Sequence, residues 1–369
     1  MLLARLALSN FRNYSELELE PTPGLNVFVG ANAQGKSNLL EAIAMLGTGK
    51  SFRTARETDT VRQNCERAIV RGEALLRAGT VELVCTIERA SRGTRKSYTV
   101  NAHPVRYAGY LGRMRVVTFV PADLHLASGT PGARRAFLNV ALSQSEPRYY
   151  YELARYRKVV QQKNALLRGA VELDLELLAT YNRSLVEAGT QIMLARDRMV
   201  GALCANARRA HARFAPGERF EVAYEPNVAF DVPTRESVEA AFELRLVHSA
   251  DAERLRKSSI VGPHRDDVSL TLDGTSLAAF GSQGQQRTAV LALKVAEYSV
   301  MLDRWDEAPL LLLDDVLSEL DEERAAAFLA ELGEYEQAFI TATHRPAGLP
   351  AGARLACVCD AQLHTYTLC

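Results

Sequence analysis

The chain has 369 residues, 47% of them apolar and 24% charged, the composition of a folded protein with one or two domains and a sizeable core. Its 44 basic side chains equal its 44 acidic ones, which excludes nucleic-acid binding by overall charge alone. Any such surface must be a local patch or form between two copies. No apolar run approaches the roughly 18 residues of a membrane span. The six cysteines are scattered without a zinc-ligand spacing, which fits a reducing cytoplasm.

The first 46 residues predict strands followed by a helix. Residues 2–8 are largely apolar, which indicates a first strand rather than a signal peptide. Residues 16–20 alternate between polar and apolar, and residues 25–29 lead directly into a glycine-rich turn. Apolar residues at helical spacing then predict a helix over residues 38–46. Strand, glycine turn and helix in this order are typical of a phosphate-binding loop.

The glycine-rich turn matches the motif G-x-x-x-x-G-K-[ST] at every required position. Its residues are Gly30, Ala31, Asn32, Ala33, Gln34, Gly35, Lys36 and Ser37. The glycines let backbone N–H groups point at phosphate oxygens, at a helix N-terminus that favours anions. Lys36 is predicted to reach the β- and γ-phosphates of ATP, and Ser37 to hold Mg²⁺.

The middle of the chain predicts a hairpin and then helices. Residues 81–106 resemble a β-hairpin, and a further strand follows at 116–120. Residues 148–167 and 173–214 are almost free of glycine and proline, which indicates an antiparallel helix pair without a long heptad pattern. Two basic groups, one at the hairpin tip and one near the end of the second helix, fit either a solvated surface or a DNA contact. They are Arg89, Arg92, Arg95 and Lys96, and then Arg196, Arg198, Arg208, Arg209, His211 and Arg213.

Four consecutive leucines, residues 310–313, predict a buried central strand that ends in two carboxylates. Asp314 is predicted to hold Mg²⁺ beside the phosphate loop. Asp315 is placed to orient or deprotonate an attacking water, so Asp315 and Lys36 are the predicted catalytic residues. Two acidic turn residues at a strand end would be the alternative. The phosphate-loop motif elsewhere in the chain favours the catalytic interpretation.

Ser282, Gly284 and Gln285 precede an amphipathic helix and resemble the signature loop of ABC-type ATPases. In that class a serine and a glycine contact the γ-phosphate of ATP bound to the opposite subunit. Helix capping is the alternative role. Residues 317–321 resemble the loop through which ABC dimers communicate, and His344 stands where the class keeps a switch histidine, although a surface histidine needs no function.

Strands and helices alternate at both ends of the chain. This pattern predicts a mixed α/β domain formed by residues 1–123 and 251–369, with a mainly helical insertion over residues 124–250.

Several further motifs together resemble the RecF family. They occupy residues 10–14, 49–54, 119–124, 134–138, 262–267, 282–288 and 312–321. Two departures concern the helical insertion: Asn139 stands where an aspartate is usual, and the insertion lacks the common tryptophan. These departures put the packing of the arm in doubt rather than the ATPase chemistry.

The RecF resemblance implies an ABC-ATPase-like head, related to SMC proteins, with an inserted helical arm. It implies a cytoplasmic, slow, DNA-stimulated ATPase that dimerises with ATP and binds single-stranded gaps and double-strand/single-strand junctions. Such proteins work with RecO and RecR to load RecA in gap repair, replication restart and the SOS response. The resemblance also places Arg12 near the nucleotide phosphates, and leaves residues 262–267 as either a functional or a structural network.

Two other functions compete with this expectation. An SMC-like structural DNA clamp would use ATP only as a dimerisation switch. A transporter ATPase subunit would share three of the motifs but would need a membrane partner, and the RecF-type motifs argue against it.

Overall fold

A computed structural model of the protein describes residues 1–369 apart from 55, 92, 170–172, 317–324, 326–327, 329–334, 351 and 367–369. The described strands are β1 (Leu2–Phe11), β2 (Tyr14–Leu19), β3 (Gly24–Val29), β4 (Arg67–Leu76), β5 (Gly79–Arg89), β6 (Thr94–Val100), β7 (His103–Val105), β8 (Val116–Phe119), β9 (Phe220–Glu225), β10 (Asp267–Leu272), β11 (Thr275–Ser276), β12 (Leu310–Asp314), β13 (Gln337–Ala342), β14 (Arg354–Cys359) and β15 (Gln362–Tyr366). The described helices are α1 (Lys36–Thr48), α2 (Tyr107–Tyr110), α3 (His125–Ser128), α4 (Pro131–Ser145), α5 (Pro147–Gly169), α6 (Leu175–Phe214), α7 (Arg235–His248), α8 (Ala250–Arg256), α9 (Leu277–Phe280) and α10 (Gln283–Trp305). Within these residues, none of the helices is both long and apolar enough to cross a membrane.

The first sheet is antiparallel, with strand order β2-β1-β4-β5-β6-β7. Its first two strands confirm the strands predicted for residues 2–8 and 16–20, and β5, β6 and β7 confirm the hairpin predicted for residues 81–106. The side chains of β1 alternate in burial, so one face of this sheet covers helix α1.

The second sheet has strand order β15-β14-β3-β13-β12-β8, parallel from β14 to β8 and antiparallel at β15. In its register Val29 pairs with Ala342, and Thr341 pairs with Asp314. The carboxyl ends of β3, β13 and β12 therefore meet at one edge. In open α/β sheets that edge is where ligands bind.

Helix α1 is buried between the first and second sheets. Leu39, Leu40 and Ile43 are fully buried in a core shared with both sheets. Leu310 and Leu312 of β12 face this core, whereas Leu311 and Leu313 face a second core formed with α6 and α10. Because β12 is covered on both faces, all four of its consecutive leucines are buried.

The helical region packs on the other face of the second sheet. Helices α5 and α6 run antiparallel, since Tyr149 contacts Arg196 while Arg155, later in α5, pairs with Glu187, earlier in α6. This arrangement confirms the predicted helix pair. Helix α6 also packs along α10. The region contributes β9, which pairs with β10 in a small third sheet ordered β11-β10-β9.

Candidate nucleotide-binding site

The phosphate loop joins the end of β3 to the start of α1, and two of its glycines lie where a side chain would collide. A Cβ at Gly30 would lie 2.3 Å from the carbonyl oxygen of Val358. Gly35 has a φ of 117° and is the N-cap of α1, and a Cβ there would lie 2.8 Å from Nδ2 of Asn13. Glycine suits these two positions because the Val358 backbone leaves no room at Gly30 and because the positive φ of Gly35 is one that other residues rarely adopt.

Lys36 is the first residue of helix α1, and its side chain folds back over the loop. Its Nζ donates hydrogen bonds to the carbonyl oxygens of Gly30 at 2.6 Å and Ala31 at 2.8 Å. Burial lowers the pKa of Lys36, and the nearby carboxylates of Asp315 and Asp314 oppose that shift. The ammonium and both carboxylates therefore belong to one electrostatic site.

The two carboxylates are positioned by Thr341 of the intervening strand β13. Thr341 Oγ1 donates to Oδ1 of Asp314 at 2.8 Å and accepts from the Asp315 backbone N–H at 2.9 Å. Asp314 is only 7% exposed, at the end of β12. Asp315 turns the chain with a positive φ of 54°, a conformation that aspartate tolerates better than most residues.

These residues fit a nucleoside triphosphate and Mg²⁺. The loop is tight at its glycines, it ends at a helix N-terminus, and Lys36 adds a positive charge. Ser37 and Asp314 supply hydroxyl and carboxylate oxygens, the hard ligands that Mg²⁺ prefers.

The turn between β1 and β2 packs against the loop and against α1. Asn13 Nδ2 donates to the Gln34 carbonyl at 3.1 Å, and Tyr14 Oη donates to the Gly35 carbonyl at 3.1 Å. Arg12 donates from Nε and Nη2 to the buried carboxylate of Glu41, at 2.8 and 2.6 Å. Arg12 therefore lies against α1 and braces the helix that begins at Lys36, while its predicted place near the phosphates stays a prediction.

Residues 49–54, another RecF-like motif, follow the end of α1 and fold back to brace its first turns. Ser51 Oγ donates to Glu41, and Arg53 Nη1 donates to Oδ1 of Asn38. Asn38 in turn donates to Oδ1 of Asn13 at 2.7 Å. These contacts connect residues 10–14, 49–54 and the first turns of α1 in one polar network.

The turn between β14 and β15 supports the loop from the other side, which the sequence did not indicate. The Asp360 backbone N–H donates to Oε1 of Gln34 at 2.6 Å, and the Ala361 N–H donates to the Gln34 carbonyl at 3.2 Å. Gln34 is therefore held on two sides. Polar turn residues near a chain end carry no distinctive spacing, so only the fold brings them to the site.

The ABC-like signature residues lie at the N-terminus of α10. Ser282 Oγ accepts from the Gln285 N–H at 3.2 Å, and Gln285 Oε1 accepts from the Ser282 N–H at 3.0 Å. The segment is thus a capping box, and Gln285 also donates to Glu218 at 3.0 Å. No hydrogen bond among the described residues joins residues 282–285 to the phosphate loop. Within one copy of the chain, the structure does not bring the two segments together.

Two further predictions concern the neighbourhood of Asp315. His344 follows β13, the strand between β3 and β12, and its Nδ1 lies 3.1 Å from Thr343 Oγ1. Its role as a switch histidine stays a prediction. Residues 317–321, expected to form the loop between dimer subunits, lie outside the described residues.

The motif at residues 262–267 forms a buried network under the helical region. Arg196 of α6 is ion-paired with Asp266 at 2.7 Å, and both side chains are 2% exposed. Arg196 also donates to the Pro263 carbonyl at 2.6 Å and to Oδ1 of Asn139 at 3.0 Å. Asn139 accepts a second hydrogen bond from Tyr149 at 2.7 Å, so an asparagine is well accommodated at this position.

Several residues of the two basic groups make hydrogen bonds or ion pairs within the protein or are buried in it. Arg89 donates to the carbonyls of Cys65 and Val61, and Lys96 pairs with Glu57. In α6, Arg196 and His211 are buried. Neither group is therefore a continuous solvated face, because some members of each are internal contacts.

A phosphate loop beside a strand with paired carboxylates, in a mostly parallel sheet flanked by an antiparallel sheet and a helical arm, defines an ABC-type P-loop ATPase head. The sequence model of the RecF/RecN/SMC N-terminal domain matches residues 2–363. With the relatives below, this match shows that the chain belongs to the RecF family.

The sequence relatives cover nearly the whole chain. The DNA replication and repair protein RecF of Symbiobacterium thermophilum is 43% identical over 347 residues, which cover 93% of this chain and 92% of that protein. The RecF protein of Gloeobacter violaceus is 41% identical over 350 residues, with coverages of 93% and 92%.

Solved structures agree with the predicted fold. The structure of the recombination mediator protein RecF with ATP, in the RecFOR pathway, superposes with a TM-score of 0.91 and 30% identity, covering 99% of this chain and 97% of that one. An Smc head bound to the C-terminal winged-helix domain of ScpA gives a TM-score of 0.56 at 15% identity, with coverages of 99% and 97%, and shares the fold. The predicted α/β head with a helical arm is confirmed, whereas the boundaries at residues 123/124 and 250/251 stay predictions.

Proposed function

We propose that this protein is an ATP-dependent DNA-binding protein of recombinational repair and replication restart. It binds single-stranded gaps and double-strand/single-strand junctions as an ATP-bound homodimer in the cytoplasm. With RecO and RecR it helps to load RecA and supports the SOS response. Its ATPase activity is slow and stimulated by DNA.

The observation that carries this proposal is the convergence of Lys36, Asp314 and Asp315 at the edge shared by β3, β13 and β12. A tight glycine loop at a helix N-terminus suits a triphosphate. Of the two adjacent carboxylates, Asp314 can bind the metal ion and Asp315 can activate water. The related protein solved with ATP, described as a recombination mediator of the RecFOR pathway, supports the same substrate and process.

The residues around ATP have distinct roles in this proposal. Residues 30–37 cradle the phosphates through backbone N–H groups, and the Lys36 ammonium stabilises negative charge on the β- and γ-phosphates. Ser37 and Asp314 hold Mg²⁺, which when bound offsets charge on the phosphates. Asp315 takes the proton of the attacking water. Arg12 acts close to the phosphates by holding Glu41 and the first turns of α1.

Dimerisation completes the site, because residues 282–285 lie away from the phosphate loop of their own chain. Ser282, Gly284 and Gln285 of a second copy close over the γ-phosphate, and two copies enclose two ATP molecules. The capping box holds this segment in a fixed turn before the partner arrives. Loss of the γ-phosphate releases the pair, so ATP binding is coupled to DNA affinity through its preference for the dimer.

The experiment measures molecular mass and affinity for gapped DNA together, with no nucleotide, with ADP and with ATP, for the wild type and the Lys36→Met variant. We expect only ATP to give a dimer that binds gapped DNA tightly, and Lys36→Met to abolish both effects. If mass and DNA affinity are indifferent to nucleotide, ATP is not the switch and the proposed function fails.

An SMC-like clamp that uses ATP only to dimerise is the second candidate, favoured by the shared fold of the Smc head. The Asp315→Asn variant separates the two. If ATP turnover stops while ATP still produces the DNA-bound dimer, Asp315 is the base, and hydrolysis determines when the dimer dissociates. Unchanged turnover in this variant would remove Asp315 from catalysis and favour the clamp.

A further inference from the structure

A second cavity lies away from the ATP site, where α5 crosses β6 and α2. Its volume is about 430 Å³, within the range of small-ligand sites. Three aromatic rings and three cations dominate its lining: Tyr98, Tyr107, Tyr150, Lys50, Arg157 and Lys158. None of the other lining residues is acidic.

The tyrosines form an aromatic cluster whose rings meet at angles of 47° (Tyr98 and Tyr107) and 73° (Tyr107 and Tyr150). The ring centroids of Tyr98 and Tyr107 are 5.4 Å apart, and those of Tyr107 and Tyr150 are 5.1 Å apart. Behind them, Tyr110 is buried and lies 4.7 Å from Tyr98. Aromatic faces of this kind stack on nucleic-acid bases with little dependence on base identity.

The positive charge of the cavity is not balanced within its lining. Lys50 Nζ lies 6.0 Å from the centroid of the Tyr107 ring. Burial lowers the pKa of Lys50, and repulsion from Arg157 and Lys96 lowers it further. The nearby carboxylate of Glu57 is paired with Lys96. An anionic group would offset this repulsion, and a phosphate would meet several donors.

From this combination we infer that the cavity between α2, β6 and α5 binds one nucleotide of an unpaired DNA strand. The base stacks on the ring of Tyr150, beside Tyr107 and Tyr98, and its phosphate lies against Lys50, Arg157 and Lys158. This inference rests on the proposed DNA-binding function. A free nucleotide offers the same phosphate and planar base, so the test must separate these two sources.

The cavity is also close in the structure to the far end of the ATP-site helix. Tyr107 Oη donates to the Thr48 carbonyl at 2.6 Å, at the last residue of α1. Lys50 directly precedes Ser51, which is hydrogen-bonded to Glu41 on the same helix. A strand held here would therefore contact residues that pack against the helix whose first turn carries Lys36.

The first experiment uses the full chain with ATP and a single-stranded oligonucleotide of thymidines carrying one 2-aminopurine, whose fluorescence is quenched by stacking. The Arg157→Gln/Lys158→Gln double variant should bind about tenfold more weakly. The slope of log affinity against log salt should fall by about 1.4, since each cation on a single strand contributes about 0.7. Arg155→Gln is the matched control, because Arg155 lies on the same helix but pairs with Glu187.

The second measurement addresses stacking. Tyr150→Ala should lose the quenching, and Tyr150→Phe should retain it because the ring is kept. A third arm titrates the 5′-monophosphate of 2-aminopurine deoxyriboside into Lys36→Met protein, in which the ATP site is disabled. Quenching by the oligonucleotide alone identifies a strand as the source, and quenching by the monophosphate as well identifies a free nucleotide as sufficient.

The outcomes separate this inference from the proposed function. If the wild type binds DNA with ATP but the double variant matches Arg155→Gln, or Tyr150→Ala keeps the quenching, the cavity inference is wrong and the proposed function stands. If the wild type does not bind gapped DNA with ATP, the proposed function fails. The single-stranded oligonucleotide then decides the cavity inference by itself, and absence of quenching with it overturns the inference.

Discussion

Arg12 and Glu41 form a two-hydrogen-bond ion pair, with Nε–Oε2 and Nη2–Oε1 distances of 2.8 and 2.6 Å. The Glu41 side chain is fully buried in α1, and that of Arg12 is 17% exposed. The pair fixes the β1–β2 turn to the helix that carries Lys36. The geometry of the phosphate loop thus depends on a residue that precedes it by two strands.

Removing Arg12 should destabilise the protein more than removing an exposed arginine. We expect Arg12→Gln to lower the free energy of unfolding by about 3 kcal/mol, because it leaves a buried carboxylate without its main counter-charge. Arg5→Gln, which breaks an exposed pair with Glu18, should cost clearly less, because water screens both charges. Urea unfolding measures both. Equal losses in the two variants would show that the Arg12–Glu41 pair contributes no more than a surface contact.

Thr341 should control ATP turnover although it is not a predicted ligand or base. Thr341→Val removes the hydroxyl that holds Asp314 and the Asp315 backbone. Groups that orient metal ligands typically affect activity about 10–100-fold, so we expect a loss of that size in kcat with ATP binding largely kept.

Thr118→Val is the matched control for Thr341→Val. Thr118 lies on β8, the parallel neighbour of β12 on its other side, and pairs with Leu312. Steady-state phosphate release should be close to that of the wild type. A Thr341→Val variant as active as Thr118→Val would mean that Asp314 and Asp315 need no support from β13.

Most residues of the candidate nucleotide site could be picked out from sequence because its motifs are local. Residues 30–37 and 310–315 are continuous segments, and each element has a short-range signal, a glycine turn or an apolar run. The supports of the site are not local. Thr341, Glu41 and Asp360 are each brought to it by sheet register or helix packing. A single polar residue in a strand or helix does not indicate such a partner.

The basic residues of α6 are a case in which the sequence pattern did not predict burial. Arg196 and His211 belong to a charged run that suggested a surface, but both are buried. The periodicity of α6 could not reveal this, because the helix is covered by α5, α10 and the segment around Asp266. The tyrosine-lined cavity was also missed, since its residues come from four separate segments: Lys50 after α1, Tyr98 of β6, Tyr107 of α2, and α5.

The buried Arg196–Asp266 pair should contribute strongly to the stability of the helical region. Asp266→Asn removes the carboxylate that accepts from Arg196 and Tyr224, so we expect a loss of about 3–5 kcal/mol in the free energy of unfolding. Asp267→Asn tests the neighbouring pair with Arg134, where the carboxylate is 24% exposed, and should cost less. Thermal and urea unfolding of the two variants should rank them in this order. The reverse order would contradict a structural role for residues 262–267.

His264 should make the protein less stable in mild acid. Burial is the main cause that lowers the pKa of His264 below its ordinary value of 6.5, and the charge of Arg265 acts in the same direction. Tyr156 Oη lies 2.6 Å from Nδ1, and the Ser259 carbonyl lies 3.1 Å from Nε2. The fold therefore favours the neutral ring, and the unfolded chain binds the proton more readily.

The sign of the pH dependence follows from linkage. The contribution of His264 is fully present above pH 6.5 and is lost as the pH falls from 6.5 through the lower pKa of the folded state, at no more than about 1.4 kcal/mol per pH unit. Urea unfolding at several pH values between 5 and 8 should show the wild type losing stability relative to His264→Gln below pH 6.5. The remaining histidines are common to both proteins and cancel in the difference. Parallel curves for the two proteins would mean that His264 titrates in the folded state as it does in the unfolded chain.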